Sequence, residues 1–251
     1  MSSGSSLGGI VYPTMIRGLI SRLGFGWTVR SITFLMFILL IMANMIVTSC
    51  SRLIRSPVCL AQFMAPFREY PFGLVCLGSF LFCSGMFLLF NFISVQAEVF
   101  GMSAANTGYL VVVLNAIIVF SAVLQGYIAD CIGRFNIVII ATAASSILVL
   151  TLWLLSANGV HLFVFAGLYG LFVSTFTSLA PALIGQISIT SQTGTRIGVQ
   201  SAVISLSVLL GSLIGGQLIE LCHKSFVGLQ VFTGVAMLMS SYVFLVAKCK
   251  L

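Results

Sequence analysis

Hydrophobic positions in this chain run in long blocks, with polar residues confined to the gaps between them. From Arg134 to Arg196 the sequence has no acid, Lys or Arg in between, and only His161 interrupts the apolar run. That gap is about three times the roughly 20 residues that cross a bilayer core. Ser156-Ala157-Asn158-Gly159-Val160-His161 supplies one polar turn near its middle, which predicts two spans joined by a tight loop. The same layout along the whole chain predicts about eight segments: 7–25, 31–49, 72–95, 107–129, 136–155, 162–187, 197–219 and 226–247. The first is the poorest, because Pro13, Arg17 and Arg22 interrupt it. The longest polar break carries Arg52, Arg55, Pro57, Pro66, Arg68, Glu69 and Pro71. Lipid offers no partners to backbone polar groups, so spans must be helices or closed barrels. Runs apolar on both faces argue against barrel strands, which alternate apolar with polar. The expected fold class is an all-α polytopic membrane protein.

Composition agrees, with 60% hydrophobic and 6% charged residues and a mean hydropathy of +1.21. Soluble domains carry about a quarter charged residues, so this chain cannot build a water-exposed surface. The net charge of +7 sits in loops between spans, where it sets orientation. No basic cluster with interleaved aromatics is present, and nucleic acid is not an expected partner. Eight spans put both termini on one side, and Arg52, Arg55, Arg68, Arg134, Arg196, Lys248 and Lys250 fall on that side. Arg30 and Lys224 fall on the other. Both termini are therefore expected in the cytoplasm, in a plasma or vacuolar membrane that charge does not distinguish.

Seven cysteines, an odd number without a CxxC pair, read as free thiols in or beside the membrane. Cys50 and Cys249 lie near basic residues at predicted membrane edges, the setting of reversible palmitoylation. The uncharged first six residues lead straight into an apolar helix, so no cleavable signal peptide is expected.

Chemistry-bearing residues are few. The four acids and two histidines are too scattered for a metal cluster. Neither a nucleophile–base pair nor a glycine-rich phosphate loop is present. No enzyme activity and no cofactor are expected. Small residues thread the later spans: Gly211 and Gly215 form a GxxxG, Gly167 and Gly170 thin the sixth span, and Pro181 lies inside it. Close helix packing is the ordinary role of such positions in lipid, and a kinked gating helix is the functional alternative.

One stretch stands apart, Gly126-Tyr127-Ile128-Ala129-Asp130-Cys131-Ile132-Gly133-Arg134. An acid ends one span, a glycine makes the turn and an arginine opens the next. The spacing G-x3-D-x2-G-R resembles the cytoplasmic loop motif of the major facilitator superfamily, where carboxylate and guanidinium latch two helix ends in one access state. A hairpin with an incidental ion pair is the alternative. Further runs resemble the fungal monocarboxylate-transporter-like branch: Gly4-Ser5-Ser6-Leu7-Gly8-Gly9, Leu23-Gly24-Phe25-Gly26-Trp27, Phe90-Asn91-Phe92-Ile93, Gly101-Met102-Ser103, Leu168-Tyr169-Gly170, Ser178-Leu179-Ala180-Pro181-Ala182 and Gly228-Leu229-Gln230-Val231-Phe232.

The resemblance covers the last eight of that family's twelve helices. It implies that residues 1–50 are two helices of an N-terminal bundle, 51–71 a cytoplasmic linker, and 72–251 a C-terminal six-helix bundle made of two inverted three-helix repeats. It implies transport of a small organic solute, a monocarboxylate or neutral analogue with or without a proton, in the lipid bilayer. A chain missing four helices also implies the rival, a non-transporting partner of a full-length relative or a decayed product. The gating motif would be Gly126, Asp130, Gly133 and Arg134, with Asp130 facing the start of the first span around Ser2–Ser6.

The fourth span departs from the family. Its carboxylate-binding arginine is replaced by Ala122, Ile118 stands where some members keep an acid, and Gln125 and Leu213 replace prolines. Ser174 replaces a glycine that is common on the sixth span. Asn91, Asn115, Ala122 and Tyr169 are the candidate lining of the solute cavity. Asn115, Val119, Ala122 and Gly126 share one helical face. For Asn91 and Asn115, interhelical hydrogen bonding stands beside solute contact.

Overall fold

The computed structural model describes residues 2–46, 63–156, 158–189, 192–222 and 225–250. Cys50, Cys59, His223, Lys224 and most of the expected linker lie outside the described residues. The elements are α1 (Ser2–Ile46), a 3-10 turn (Ala65–Arg68), α2 (Tyr70–Val99), α3 (Ala104–Ile132), α4 (Arg134–Leu148), α5 (Gly159–Gln186), α6 (Thr193–Leu221) and α7 (Val227–Cys249). A π-helical turn, Val149–Trp153, extends α4. Among the described residues seven helices are long and apolar enough to cross a membrane.

The first of these spans 45 residues. As a straight rod it would reach about 68 Å, more than twice a 30 Å bilayer core. It is not straight. Gly24 has φ 72° and ψ 170°, a conformation that only glycine adopts without strain. Tyr12 shares a cavity of about 310 Å³ with Met36, Leu39 and Leu40, and Ile16 and Ile20 share another with Thr28, Thr33 and Met36. A straight helix would hold Tyr12 and Leu39 about 40 Å apart, so two arms fold back on each other at Gly24. The sequence pattern expects a loop over 26–30. Instead the helix resumes directly after Gly24, and Arg30 lies within the second arm, its guanidinium 5.2 Å from the Trp27 ring centroid.

Between α3 and α4 the reversal is made by Gly133 alone, with φ 99°. Any residue with a Cβ would be strained there, which is why the turn needs no further loop. At the other end of α3, the Ser103 hydroxyl accepts the Asn106 amide at 3.4 Å, capping the helix.

Helices α2 and α5 form the centre. α2 packs on α6 and α7, α5 packs on α3 and α4, and α4 packs on α7. Exchanging α2 with α5, α3 with α6 and α4 with α7 leaves this pattern unchanged. Since α2 and α5 run in opposite directions, the six helices form two inverted three-helix units. Small residues make matching close contacts in the two halves. A Cβ on Gly211 of α6 would lie 3.1 Å from the Ser84 carbonyl oxygen, and one on Gly170 of α5 would lie 3.1 Å from that of Leu114. α1 packs chiefly on α3.

The core between these helices is aromatic. Phe82, Phe176 and Phe244 form one group, and Trp153 stacks on Phe165, which meets Tyr169. Trp153 is fully buried yet satisfied: its Nε1 donates to Gln96 Oε1 at 2.6 Å. Gln230 Nε2 in turn donates to the Trp153 carbonyl at 3.0 Å.

Candidate gating end and solute face

One end of the bundle collects the start of α2, the α3–α4 turn, the end of α5, the start of α6 and the end of α7. It therefore gathers Arg68, Arg134, Arg196, Lys248 and Lys250 with only Glu69 and Asp130. The opposite end of the six helices holds Glu98 and Glu220 and, among the described residues, no Lys or Arg. The arms of α1 bring Arg17, Arg22 and Arg30 to that opposite end.

Among the described residues Arg196 is the most enclosed charge at the basic end, with its side chain 4% exposed. Its Nη1 donates to Glu69 Oε2 at 2.8 Å and its Nη2 to Glu69 Oε1. Further bonds reach the Ile187 carbonyl at 3.2 Å and Gln192 Oε1 at 3.3 Å, and the guanidinium lies 5.6 Å from the Phe72 ring centroid. Glu69, 52% exposed, sits just before α2. One side chain thus ties the start of α2, the end of α5 and the start of α6 together.

The motif residues lie close by. Gly126 faces open space, Asp130 is exposed one turn later and Arg134 is half-buried at the start of α4. No ion pair joins Asp130 to Arg134. The register of α1 also places the start of that helix elsewhere than expected. A Cβ on Gly9 would strike Asn115 Oδ1, and one on Gly108 would lie 2.5 Å from Arg17 Nη1. The helices are antiparallel with Gly9 level with Asn115 and Arg17 level with Gly108. Ser2 then comes level with about Ala122, roughly two turns, or about 11 Å, short of Asp130. The facing of Asp130 on Ser2–Ser6 is not what this register gives. Arg17 lies near the start of α3, at the end opposite the basic one, its guanidinium 5.3 Å from the Tyr109 ring centroid.

The polar residues expected at membrane depth separate into three settings. Asn91 is exposed on α2 and its Nδ2 donates to Ser212 Oγ of α6 at 3.1 Å. Asn115 faces α1 at Gly9 and donates to the Val111 carbonyl at 2.9 Å. Ala122 is half-buried. Tyr169 is fully buried, with its hydroxyl 4.0 Å from Met237 Sδ, so it lies inside the bundle and away from the open faces. The structure therefore does not bring these four residues together.

A polar cluster between α3 and α5 joins Gln125 and Ser174, two of the departures from the family pattern, through Ser121. Ser121 and Ser174 hydroxyls are 2.7 Å apart, Gln125 donates to Ser121 Oγ at 3.0 Å, and Ser121 and Gln125 both donate to the Leu171 carbonyl. Gln125 Oε1 is buried without a partner. Arg196 and Glu69 were illegible as a pair. They are far apart in sequence, and only the inverted topology brings the starts of α2 and α6 together.

The sequence matches the Major Facilitator Superfamily over residues 75–248. An MFS-type transporter of Gibberella moniliformis is 40% identical over 93% of this chain and 56% of its own length. MFS-type transporter 1 of an Ophiocordyceps species is 36% identical over 100% of this chain and 56% of its own length. The Fujikurins efflux protein of Gibberella fujikuroi is 32% identical over 98% of this chain and 53% of its own length. The chain belongs to the Major Facilitator Superfamily. It spans about half the length of the curated relatives it matches.

Proposed function

We propose that this chain is a C-terminal portion of a monocarboxylate-porter-like carrier that moves a small organic solute by alternating access. It would cross the membrane eight times, counting the two arms of α1 separately, with the basic end in the cytoplasm. The observation that carries the proposal is the pair of inverted three-helix units whose α3 and α6 carry exposed apolar residues that no other described helix covers. These residues include Phe120, Val123 and Leu124 on α3 and Leu206, Leu209 and Leu213 on α6. In such carriers the solute sits between two bundles near the midplane, and α1 already covers part of α3 in the manner of a second bundle.

The solute would be neutral, or held without an ion pair from this chain. Ala122 offers no charge, and α2, α3, α5 and α7 carry no Lys or Arg away from their ends. Asn91 with Ser212, on the open side of α2 and α6, supplies hydrogen-bonding groups instead. Gly126, Asp130, Gly133 and Arg134 would act in the closed state of the cytoplasmic gate. The unpaired Asp130 and Arg134 fit the state in which that latch is released. Relatives described as efflux proteins support export as the direction.

The test is a chimera that joins the first four helices of the Gibberella moniliformis relative to this chain, reconstituted in proteoliposomes. Saturable flux of neutral organic solutes in preference to monocarboxylates is expected, and Ala122→Arg should shift the preference toward carboxylates. Absence of flux across a panel of both kinds would overturn the proposal.

The second reading is a non-transporting partner of a full-length carrier. The exposed apolar stripe of α6 favours it, because a half-length chain needs a cover for that face. Co-purification with a larger carrier supports this reading, and a stable monomer in detergent speaks against it.

A further inference from the structure

Two features meet on the side of the bundle formed by α4, α5 and α7, away from α1 and the open faces. The first is a cavity of about 330 Å³ at the basic end, lined by Arg134, Phe135, Asn136, Gln186, Ile187 and Lys248. No acid lines it, and among the described residues neither Arg134 nor Lys248 has an acid partner. Asp130, four residues before Arg134, is exposed and outside the lining. The α4 helix starts beside the cavity at Gly133, which has no side chain to cap it, so its positive end adds to the two cations.

The second feature is an apolar furrow of about 440 Å³ on α7, lined by Leu238, Met239, Ser241, Tyr242 and Leu245. Leu238, Ser241, Leu245 and Lys248 follow at spacings of three and four, so they share one stripe of the helix. The furrow therefore leads up to Lys248 and the cavity. From Leu238 to Lys248 the helix rises about 15 Å, half of a 30 Å hydrocarbon core.

We propose that this side of α7 binds an anionic phospholipid, with the phosphate in the cavity and an acyl chain along the furrow. Arg134 can take phosphate oxygens in pairs, and Lys248 adds a point charge. Gln186 supplies a neutral donor, while Phe135 and Ile187 form an apolar wall for the glycerol ester. Two cations without acids favour a headgroup of net negative charge over a zwitterionic one, whose own amine already balances its phosphate. A free phosphate would use the cavity but leave the furrow empty. The site shares Arg134 with the proposed cytoplasmic latch, and lipid binding there does not depend on whether this chain transports alone.

The test uses the purified chain in detergent, with thermal unfolding followed during titration of dioleoyl phosphatidylglycerol, dioleoyl phosphatidylcholine or inorganic phosphate. Phosphatidylglycerol is expected to raise the midpoint by about 5–10 °C at a hundredfold excess over its Kd. Phosphatidylcholine and inorganic phosphate should leave it unchanged. Arg134→Gln with Lys248→Gln should abolish the rise. Lys248→Gln alone, at an exposed position that spares the fold, should weaken the apparent affinity about tenfold. Lys250→Gln removes the same charge outside the cavity and should keep the full rise. Equal stabilisation by phosphatidylcholine would mean general lipid solvation and would overturn the proposal. So would an equal effect of inorganic phosphate, which assigns the cavity to a free anion. Loss of the effect in Lys250→Gln to the same degree would also overturn it, since net charge alone would then explain binding.

Discussion

Removing Glu69 should damage this protein more than removing Arg196, although the two form one ion pair. Arg196 is 4% exposed and Glu69 52%, so the two deletions strand different charges. Glu69→Ala leaves a guanidinium enclosed with two neutral acceptors, the Ile187 carbonyl and Gln192 Oε1, over the Phe72 ring. Breaking a fully buried pair by deleting one partner costs roughly 3–5 kcal/mol. With half of Glu69 already in water, about 2–3 kcal/mol is the expected cost here. Arg196→Met leaves a carboxylate that water can solvate, and the methionine fills the space beside Phe72, so its cost should stay below about 1 kcal/mol. For a chain of this size each kcal/mol moves the unfolding midpoint by about 2–4 °C. Glu69→Ala should therefore lower it by about 4–12 °C and Arg196→Met by less than about 4 °C. Thermal unfolding of the purified chain in detergent, read by Trp fluorescence, measures both. The double variant should recover most of the Glu69→Ala loss, because no stranded cation remains. A double variant as unstable as Glu69→Ala alone, or an Arg196→Met loss exceeding that of Glu69→Ala, would refute the reasoning.

Other positions give further tests. Gly211→Leu should destabilise by about 1–3 kcal/mol, since the added atoms meet the Ser84 backbone, which cannot swing aside; Gly216→Leu, which meets nothing within 4 Å, should be near neutral in the same unfolding assay. Trp153→Phe should cost about 1–3 kcal/mol because it leaves Gln96 Oε1 buried without its 2.6 Å donor; an unchanged midpoint would show that the bond contributes nothing. Gly24→Ala should strain the fold-back of α1, which needs positive φ. Cysteines placed at Tyr12 and Leu39 should cross-link in the native chain and less efficiently in that variant, whereas equal yields would show that the bend does not depend on Gly24.

The helical class and the positions of six spans were legible because lipid forces both faces of a span to be apolar. The break in α1 was legible only as a run of glycines and basic residues. The sequence pattern implies a loop there, because Arg30 looks like a polar gap, but Arg30 lies in the helix over Trp27. The motif Gly126–Arg134 was readable as a turn, and Gly133 with its positive φ makes it. Its ion pair is not formed, since short spacing brings Asp130 and Arg134 near without obliging them to bond. Tyr169 looked available because a phenol at membrane depth invites a polar role. Its burial beside Phe165 and Met237 depends on which face of α5 meets α7, and a helix apolar all round does not reveal that.

Flux through proteoliposomes containing either this chain alone or its chimera with the first four helices of the Gibberella moniliformis relative tests the proposed function most directly. The chain alone should give flux equal to empty vesicles, because α3 and α6 have no opposing bundle to close the solute path. The chimera should give saturable flux. Saturable flux from the chain alone would contradict the proposal that solute passes between this bundle and a second one.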